Sequence, residues 1–176
     1  MEAPPPTRII LVGMMGSGKT TVGRELAHRT GWQLLDNDDL VRALTGREPA
    51  EIAVVDGEDA LHDAEAAALA DALHRPAPLI VGVAGAMVDR DDMRRALREG
   101  GHVVWLRARP ETLRQRIGAG SDRRPEATDP AWLASRVHER EPLYGEVADQ
   151  VIDVDRTRPP AVAIAILDAV RARSAS

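Results

Sequence analysis

The sequence predicts an α/β protein with a single domain, in which helices flank a five-stranded parallel sheet. Three observations predict this fold. Five short aliphatic runs alternate with longer segments of helical periodicity, which is the pattern of β-α units. The length of 176 residues suits one compact domain, residues 1–176, with one core. A glycine-rich segment, residues 13–20, stands between the first aliphatic run and the first helical segment.

The strands are predicted on the aliphatic runs, where β-branched residues and leucine predominate. They cover 8–12, 32–35, 78–83, 102–107 and 151–153. The helices are predicted where apolar residues recur at helical spacing. They cover 19–30, 39–45, 58–73, 90–98, 110–117, 131–144 and 160–172. Gly31 and Gly46 stand where left-handed caps end helices, and Pro110 stands in a first turn. Residues 118–130 have neither periodicity and are predicted to form a long mobile loop.

Composition excludes several classes of protein. A formal net charge of -5 argues against a protein that wraps nucleic acid, because contact with the phosphate backbone requires a large basic surface. The absence of cysteine excludes disulfides and thiolate metal sites. The opening MEAPPPTR is unlike a signal peptide, and no apolar run approaches membrane-spanning length. We therefore expect a cytoplasmic monomer that binds neither membrane nor nucleic acid.

The segment GMMGSGKT, residues 13–20, matches the G-x-x-x-x-G-K-[ST] pattern completely. In that pattern, glycines allow backbone N–H groups to surround a nucleotide phosphate, and the following helix adds its positive end. Lys19 would reach the β- and γ-phosphate oxygens, and Thr20 would offer a hydroxyl to Mg²⁺. The residues assigned to ATP here are Gly13, Gly16, Ser17, Gly18, Lys19, Thr20 and Thr21.

Phosphoryl transfer also requires a carboxylate for the metal. The third and fourth strands end in VGVAG and WLRAR, which offer none, so the segment LLDND after the second strand remains. Asp36 and Asp38 are two residues apart and, on an extended segment, would point the same way. Asp36 would hold Mg²⁺, and Asp38 would reach the acceptor hydroxyl. Helix capping is the alternative role for Asp38.

Extra cations for the transferred group lie in or beside the predicted loop at Arg114, Arg116, Arg123 and Arg124. A loop that closes over the site would supply them and exclude water. The alternative is a solvated basic loop whose arginines pair with nearby acids.

Taken together, these segments resemble the shikimate kinase family over nearly the whole chain. GMMGSGKTTVGRELA is similar to its phosphate loop and first helix, and LLDNDDLVRALTGREPAEI to its Asp-x-Asp segment. DGEDALHDAEAAAL is similar to its substrate helix, RRPEA to its lid, REPLY to its Arg-x-Pro-Leu-Tyr segment and DVDRTRPPA to its adenine loop. The resemblance implies a P-loop fold of the nucleoside-monophosphate-kinase-like type, with a mobile lid at about 118–130 and acceptor-binding helices at about 39–73.

The resemblance also implies residue roles and a reaction. ATP would be the phosphoryl donor, Mg²⁺ the metal and a ring hydroxyl the acceptor, as in aromatic amino acid biosynthesis. Thr20 and Asp36 would serve Mg²⁺, and Asp38 would hold the acceptor and take its proton. Lys19, Asp38 and the lid residue Arg124 would be the catalytic group. The resemblance further implies that Arg140 grips the acceptor, that Arg124 contacts ATP, and that Arg156 or Arg158 lies near the adenine. Arg116, beside the predicted loop, is also expected to contact ATP.

Two departures from the family pattern concern the acceptor side. Where the family carries an arginine on its substrate helix, this chain has His62, and where it has three glycines, this chain reads Val83-Ala84-Gly85. A histidine lacks the permanent forked charge of arginine, and Val83 and Ala84 add bulk where the family has glycine, so we expect weak or absent activity on shikimate. Asp38, His62, Gly85 and Arg140 are nevertheless the expected acceptor residues. His62 as a plain surface residue and Arg140 as an exposed helical charge paired with Glu139 or Glu141 are the alternatives.

The expected function is therefore ATP-dependent phosphorylation of a small ring or polyol, with shikimate 3-phosphorylation as the named candidate. A kinase of another cyclitol, aminocyclitol or sugar acid is the alternative within the same class. A non-catalytic ATP-binding regulatory module is the alternative from a different class, and the retention of Lys19, Thr20, Asp36 and Asp38 argues against it. A GTPase is disfavoured because the chain contains no N-K-x-D-like guanine-binding segment.

Overall fold

The computed structural model describes residues 7–118 and 125–175 of the chain. Within these ranges the predicted five-stranded parallel sheet is confirmed, with strand order β2-β3-β1-β4-β5. The strands are β1 (Arg8–Val12), β2 (Gln33–Asp36), β3 (Leu79–Gly82), β4 (His102–Arg107) and β5 (Gln150–Asp153). Strand β1 is central, and the chain continues first to the β2-β3 side and then to the β4-β5 side. Open α/β sheets bind ligands at the carboxyl end of such a switch point.

Helices flank the sheet over the described residues. They are α1 (Lys19–Thr30), α2 (Asn37–Thr45), α3 (Pro49–Val55), α4 (Glu58–His74), α5 (Asp91–Gly100), α6 (Pro110–Ile117), α7 (Pro130–Val147) and α8 (Pro159–Ser174). Helix α1 packs against α8, α4 packs against α2 and α3, and α5 packs against α7. No helix in the described ranges is both long and apolar enough to cross a membrane.

The local signals for helix ends are confirmed. Gly31 and Gly46 have left-handed φ values of 73° and 70°, and each donates its N–H to the helix that it ends. Pro110 lies in the first turn of α6. The apolar strands form the core, since Ile9, Ile10 and Leu11 are fully buried.

Apart from shifts of a few residues at other element ends, the structure differs from the sequence prediction in four places. Helix α2 begins at Asn37 instead of residue 39, helix α3 was not predicted, and short 3-10 turns occupy Gly85–Asp89 and Pro125–Thr128. The second of these turns lies inside the predicted loop 118–130, and the rest of that loop between 119 and 124 is outside the described residues.

The strand register brings three carboxyl ends to one edge of the sheet. Leu11 of β1 is level with Gly82 of β3, and Gly82 is level with Asp36 of β2. The glycine-rich segment begins at Gly13, directly after the last residue of β1, Val12. The edge therefore places Asp36 beside the start of α1, where the predicted functional residues cluster.

Candidate active site

The loop Gly13–Thr20 turns tightly between β1 and α1 because its glycines adopt backbone angles that other residues rarely adopt. The φ values are 149° at Gly13, 84° at Gly16 and 95° at Gly18. A Cβ added at Gly13 would lie 2.7 Å from the carbonyl oxygen of Leu106 and would not fit. Ser17 is buried, and its hydroxyl makes no hydrogen bond to the described residues. This glycine cradle, at the N-terminus of a helix, fits a nucleotide phosphate.

Lys19 spans the cradle. Its Nζ donates to the carbonyl oxygens of Gly13 at 2.7 Å and Met14 at 3.0 Å. Burial lowers the pKa of Lys19 to about 8, against the opposing charge of Asp36 and, more weakly, of Asp38 and Glu65, while Arg140 lowers it further. A bound phosphate would stabilise the protonated form of this buried lysine, because the negative charge of the phosphate offsets the cost of burying the ammonium.

Thr20 and Asp36 face each other across the start of α1 and the end of β2. The Thr20 hydroxyl donates to Asp36 Oδ2 at 2.7 Å, while Asp36 Oδ1 accepts from the backbone N–H of Asn37 at 3.0 Å. A Cβ at Gly82 would lie 2.9 Å from Asp36 Oδ1, so the glycine of β3 provides the space for this carboxylate. A hydroxyl beside a carboxylate is a donor set that suits Mg²⁺, and the two residues are those predicted.

Asp38 lies in the first turn of α2 and not on an extended segment, so the expectation that Asp36 and Asp38 project from a strand-like stretch is wrong. The reason is that Asp36 itself caps the helix, through its side chain to Asn37 N–H, and the helix then begins at once. Asp38 still reaches the same cavity as Asp36 and Lys19. Its carboxylate also accepts from the side-chain amide of Asn37 at 3.3 Å.

A cavity adjoins the phosphate loop at the carboxyl edge of the sheet. It encloses about 850 Å³ when open solvent at its mouth is included. Its charged lining consists of Lys19, Asp36, Asp38, Glu65 and Arg140, and its other walls include Met14, Met15, Leu61, Val83, Ala84, Gly85, Trp132 and Leu133. The cavity therefore combines an apolar wall, on which a ring can pack, with carboxylates and cations close to the phosphate loop.

Arg140 reaches this cavity from α7 and is buried, with 9% of its surface exposed. Its Nη2 lies 2.8 Å from Asp89 Oδ2, and its Nε also donates to that carboxylate. The alternative of an exposed helical charge is therefore wrong. Glu139 pairs with Arg136 instead.

Helix α4 presents Leu61 and Glu65, one turn apart, to the cavity. His62 is not among the residues that line it, and its Nε2 lies 3.5 Å from Glu58 Oε2. Glu65 is 7% exposed and was missed by the sequence prediction. The signal that could have found it is its position four residues after Leu61, which places it on the same helix face.

A second groove runs beside the phosphate loop on the other side of Gly18, lined by Ser17, Gly18, Thr21, Val22, Arg116, Val154, Thr157, Pro159 and Val162. Arg116 donates to the carbonyl oxygens of Val154 at 2.6 Å and Ser17 at 3.4 Å. Arg156 and Arg158 are exposed and are not among the residues that line the groove, whereas Thr157, which lies between them, does line it. Arg124 lies outside the described residues.

The phosphate loop, the hydroxyl-carboxylate pair and the adjoining cavity, all at the switch point of a parallel sheet, define a P-loop phosphotransferase of the kinase type. The comparisons identify the family. The family model for shikimate kinase matches residues 15–171. The shikimate kinase of Moorella thermoacetica is 40% identical over 169 residues, which cover 95% of this chain and 96% of that protein. The shikimate kinase of Bordetella pertussis is 43% identical over 147 residues, covering 82% and 69%.

Among solved structures, shikimate kinase from Acinetobacter baumannii in complex with shikimate is similar, with a TM-score of 0.88, 30% identity, and coverage of 99% of this chain and 96% of that one. A gluconokinase from Sinorhizobium meliloti shares the fold, with a TM-score of 0.65 at 22% identity, covering 97% of this chain and 96% of that one. The chain belongs to the shikimate kinase family. It is an ATP-dependent phosphotransferase that acts on a hydroxyl group.

Proposed function

We propose that the chain transfers the γ-phosphoryl group of ATP to the 3-hydroxyl of shikimate, as a cytoplasmic step of aromatic amino acid biosynthesis. The observation that carries the proposal is that one cavity joins Asp38 and Arg140 to the phosphate loop. A carboxylate that can accept a hydroxyl proton and a cation that can bind a carboxylate are the two groups that a hydroxylated ring acid requires. The relatives named above support shikimate as the particular acid.

The glycine cradle would hold the β-phosphate, and Lys19 would leave the carbonyl oxygens of Gly13 and Met14 to reach the β- and γ-oxygens. The groove beside Gly18 would hold the nucleoside, with Arg116 on its edge. Thr20 and Asp36 would hold Mg²⁺, which would supply positive charge to offset the negative charge that develops on the phosphate oxygens. Arg124 would add a further cation.

Asp38 would orient the acceptor hydroxyl and receive its proton on a carboxylate oxygen. In this step the O–H bond of the acceptor breaks, a new P–O bond forms, and the bond between the γ-phosphorus and the bridging oxygen breaks, so that ADP leaves. Lys19 is close enough to Asp38 for the two charges to interact.

The carboxylate of the acceptor would bind Arg140. The guanidinium is forked and permanently charged, and it is held by Asp89, which is not among the residues that line the cavity. Val83 and Ala84 would pack against the ring, and Gly85 would allow its close approach to the strand end. His62 would act on the acceptor only from outside the wall formed by Leu61.

A second acceptor class is favoured by a specific observation. The cavity lining holds the carboxylates of Asp36, Asp38 and Glu65 but only two cations among the described residues, Lys19 and Arg140. An excess of carboxylates in the cavity repels an anionic acceptor and favours an acceptor ring that is neutral or carries an amine. A cyclitol or aminocyclitol is therefore the alternative acceptor.

The experiment that tests the proposal is an ADP-release assay with purified protein, ATP and Mg²⁺ across shikimate, quinate, gluconate and an aminocyclitol. The highest kcat/KM on shikimate is expected. The Asp38→Asn variant is the matched control, because it retains the shape of the site and should lose turnover on every acceptor. A higher kcat/KM on the aminocyclitol would select the second class. Absence of turnover on every ring, with ATP still bound, would support the regulatory-module alternative.

A further inference from the structure

The ion pair between Arg140 and Asp89 links the acceptor cavity to the 3-10 turn Gly85–Asp89. Arg140 Nε lies 3.1 Å from Asp89 Oδ1 and Nη2 lies 2.8 Å from Asp89 Oδ2, so one edge of the guanidinium binds the carboxylate in parallel. The side chain of Arg140 is 11% exposed and that of Asp89 is 40% exposed. The pair therefore has a buried cation inside and a carboxylate at the surface.

The opposite edge of the guanidinium faces the cavity. Nη1 lies 3.8 Å from Met14 Sδ, which is a weak acceptor, and a Cβ built on Gly85 would lie 3.8 Å from Nη1. Because a guanidinium has five N–H groups in one plane, binding Asp89 through Nε and Nη2 still leaves its end available to a ligand. The contact with Asp89 thereby fixes which edge of the Arg140 guanidinium faces the cavity.

Helix α7 holds both ends of the turn that forms the cavity wall. The Tyr144 hydroxyl donates to the carbonyl oxygen of Gly85 at 2.8 Å, and one helical turn earlier Arg140 holds Asp89. Ala84, Gly85 and Ala86 line the cavity. The distance between the guanidinium and this wall is therefore fixed by two contacts of the same helix.

An arginine at this place has competing partners. Glu65 and Asp38 line the same cavity, and an unrestrained guanidinium in a partly buried site would be drawn to either carboxylate. Either pairing would withdraw it from an incoming anion. Resting on the proposed function, we infer that Asp89 is a positioning residue that holds Arg140 with its Nη1 edge toward the anionic group of the acceptor.

The test is the steady-state kinetics of Asp89→Asn, which keeps the shape and removes the charge. We expect KM for shikimate to rise about tenfold, with kcat and KM for ATP within about threefold of wild type. Asp89→Glu keeps the charge and should recover most of the loss. Asp92→Asn is the matched control, because Asp92 is an exposed carboxylate that pairs with Arg90. An Asp89→Asn variant with unchanged KM for shikimate would overturn the inference.

A double-variant comparison separates positioning from general stability. In an Arg140→Met background, Asp89→Asn should have no further effect on KM for shikimate, because there is no guanidinium left to position. An equal rise in both backgrounds would overturn the inference. If Asp89→Asn does not fold, Asp89→Glu takes its place, with a smaller rise expected in the wild-type background and none in Arg140→Met.

A spectroscopic measurement tests the positioning of Arg140 independently of which acceptor the enzyme uses. In ¹⁵N-labelled protein without ligand, the Arg140 Nε–H resonance should shift and its exchange with water should quicken in Asp89→Asn, while Asp92→Asn leaves both unchanged. An unchanged resonance would overturn the inference. If wild-type protein does not phosphorylate shikimate but this resonance responds as expected, the proposed acceptor is wrong and the positioning of Arg140 stands.

Discussion

Replacing Lys19 by methionine should abolish phosphoryl transfer and at the same time change how stability depends on pH. Burial lowers the pKa of Lys19 from 10.5 to about 8 in the folded chain. Below pH 8 the lysine is protonated in both the folded and the unfolded chain, so the folded chain bears the full cost of the buried charge. As the pH rises from 8 to 10.5, the folded chain loses this proton before the unfolded chain does, and the wild-type protein becomes relatively more stable.

The magnitude follows from the size of the depression. At about 1.4 kcal/mol for each pH unit, the buried charge costs at most about 3.4 kcal/mol, and the partial exposure of the side chain reduces this cost. Methionine would also leave the carbonyl oxygens of Gly13 and Met14 without their donor, at about 1 kcal/mol each. The two effects nearly cancel at pH 7, so the variant should be within about 1 kcal/mol of wild type there.

The assay is urea unfolding of both proteins, without nucleotide, at pH 7 and pH 10. The free energy of unfolding of wild type should rise relative to Lys19→Met by about 2 kcal/mol between the two values. ADP release by the variant should fall by at least several hundredfold, the order expected for a group worth roughly 3–4 kcal/mol to the transition state. A difference between the proteins that does not change with pH, or near-normal turnover in the variant, would refute this reasoning.

Four further predictions concern the two substrates. Asp38→Asn should lower kcat by about a hundredfold or more while ATP still binds. A kcat near that of wild type would mean that Asp38 does not take the acceptor proton and serves only in the first turn of its helix. Thr20→Val, with Thr20→Ser as control, should raise the Mg²⁺ concentration for half-maximal rate by about tenfold, because Thr20 lies 2.7 Å from Asp36; an unchanged dependence would contradict the metal assignment. His62→Arg places a longer, permanently charged side chain next to the Leu61 wall of the cavity and should raise kcat/KM for shikimate by about tenfold, and efficient wild-type turnover with no such gain would mean that histidine is tolerated there. kcat/KM for ATP should decline above about pH 8 as Lys19 loses its proton, and a flat profile to pH 9.5 would count against this role.

The phosphate loop could be predicted from the sequence because its determinants are local. The three glycines within six residues adopt backbone angles that other residues rarely adopt. Because a strand precedes them and a helix follows, the segment between is predicted to be a tight phosphate-binding turn. The Thr20–Asp36 pair followed from the same reasoning, since Asp36 ends the strand two places from β1 in the sheet. The start of α2 was missed because the side chain of Asp36 caps the helix at the residue that was predicted to hold the metal.

The acceptor side could not be predicted as well, because its contacts join distant parts of the chain. Arg140 and Asp89 are 51 residues apart, and no periodicity relates a helix to a 3-10 turn at that distance. Glu65 is a charged residue among alanines in α4, a residue type that is usually exposed. It is buried because α4 packs against α2, α3, α5 and the 3-10 turn Gly85–Asp89, and this packing cannot be read from the local sequence. Helix α3 was missed because its seven residues are held by burial of Pro49 and Ile52 more than by helix propensity.

The most direct test of transfer to a ring hydroxyl held by Asp38 is phosphorus NMR of the reaction of wild-type protein with ATP, Mg²⁺ and shikimate. The expected result is one new phosphomonoester signal, coupled to a single ring proton at C3, that grows mole for mole with ADP and does not appear with Asp38→Asn. ADP accompanied only by inorganic phosphate, or the same ester formed at the wild-type rate by Asp38→Asn, would contradict it.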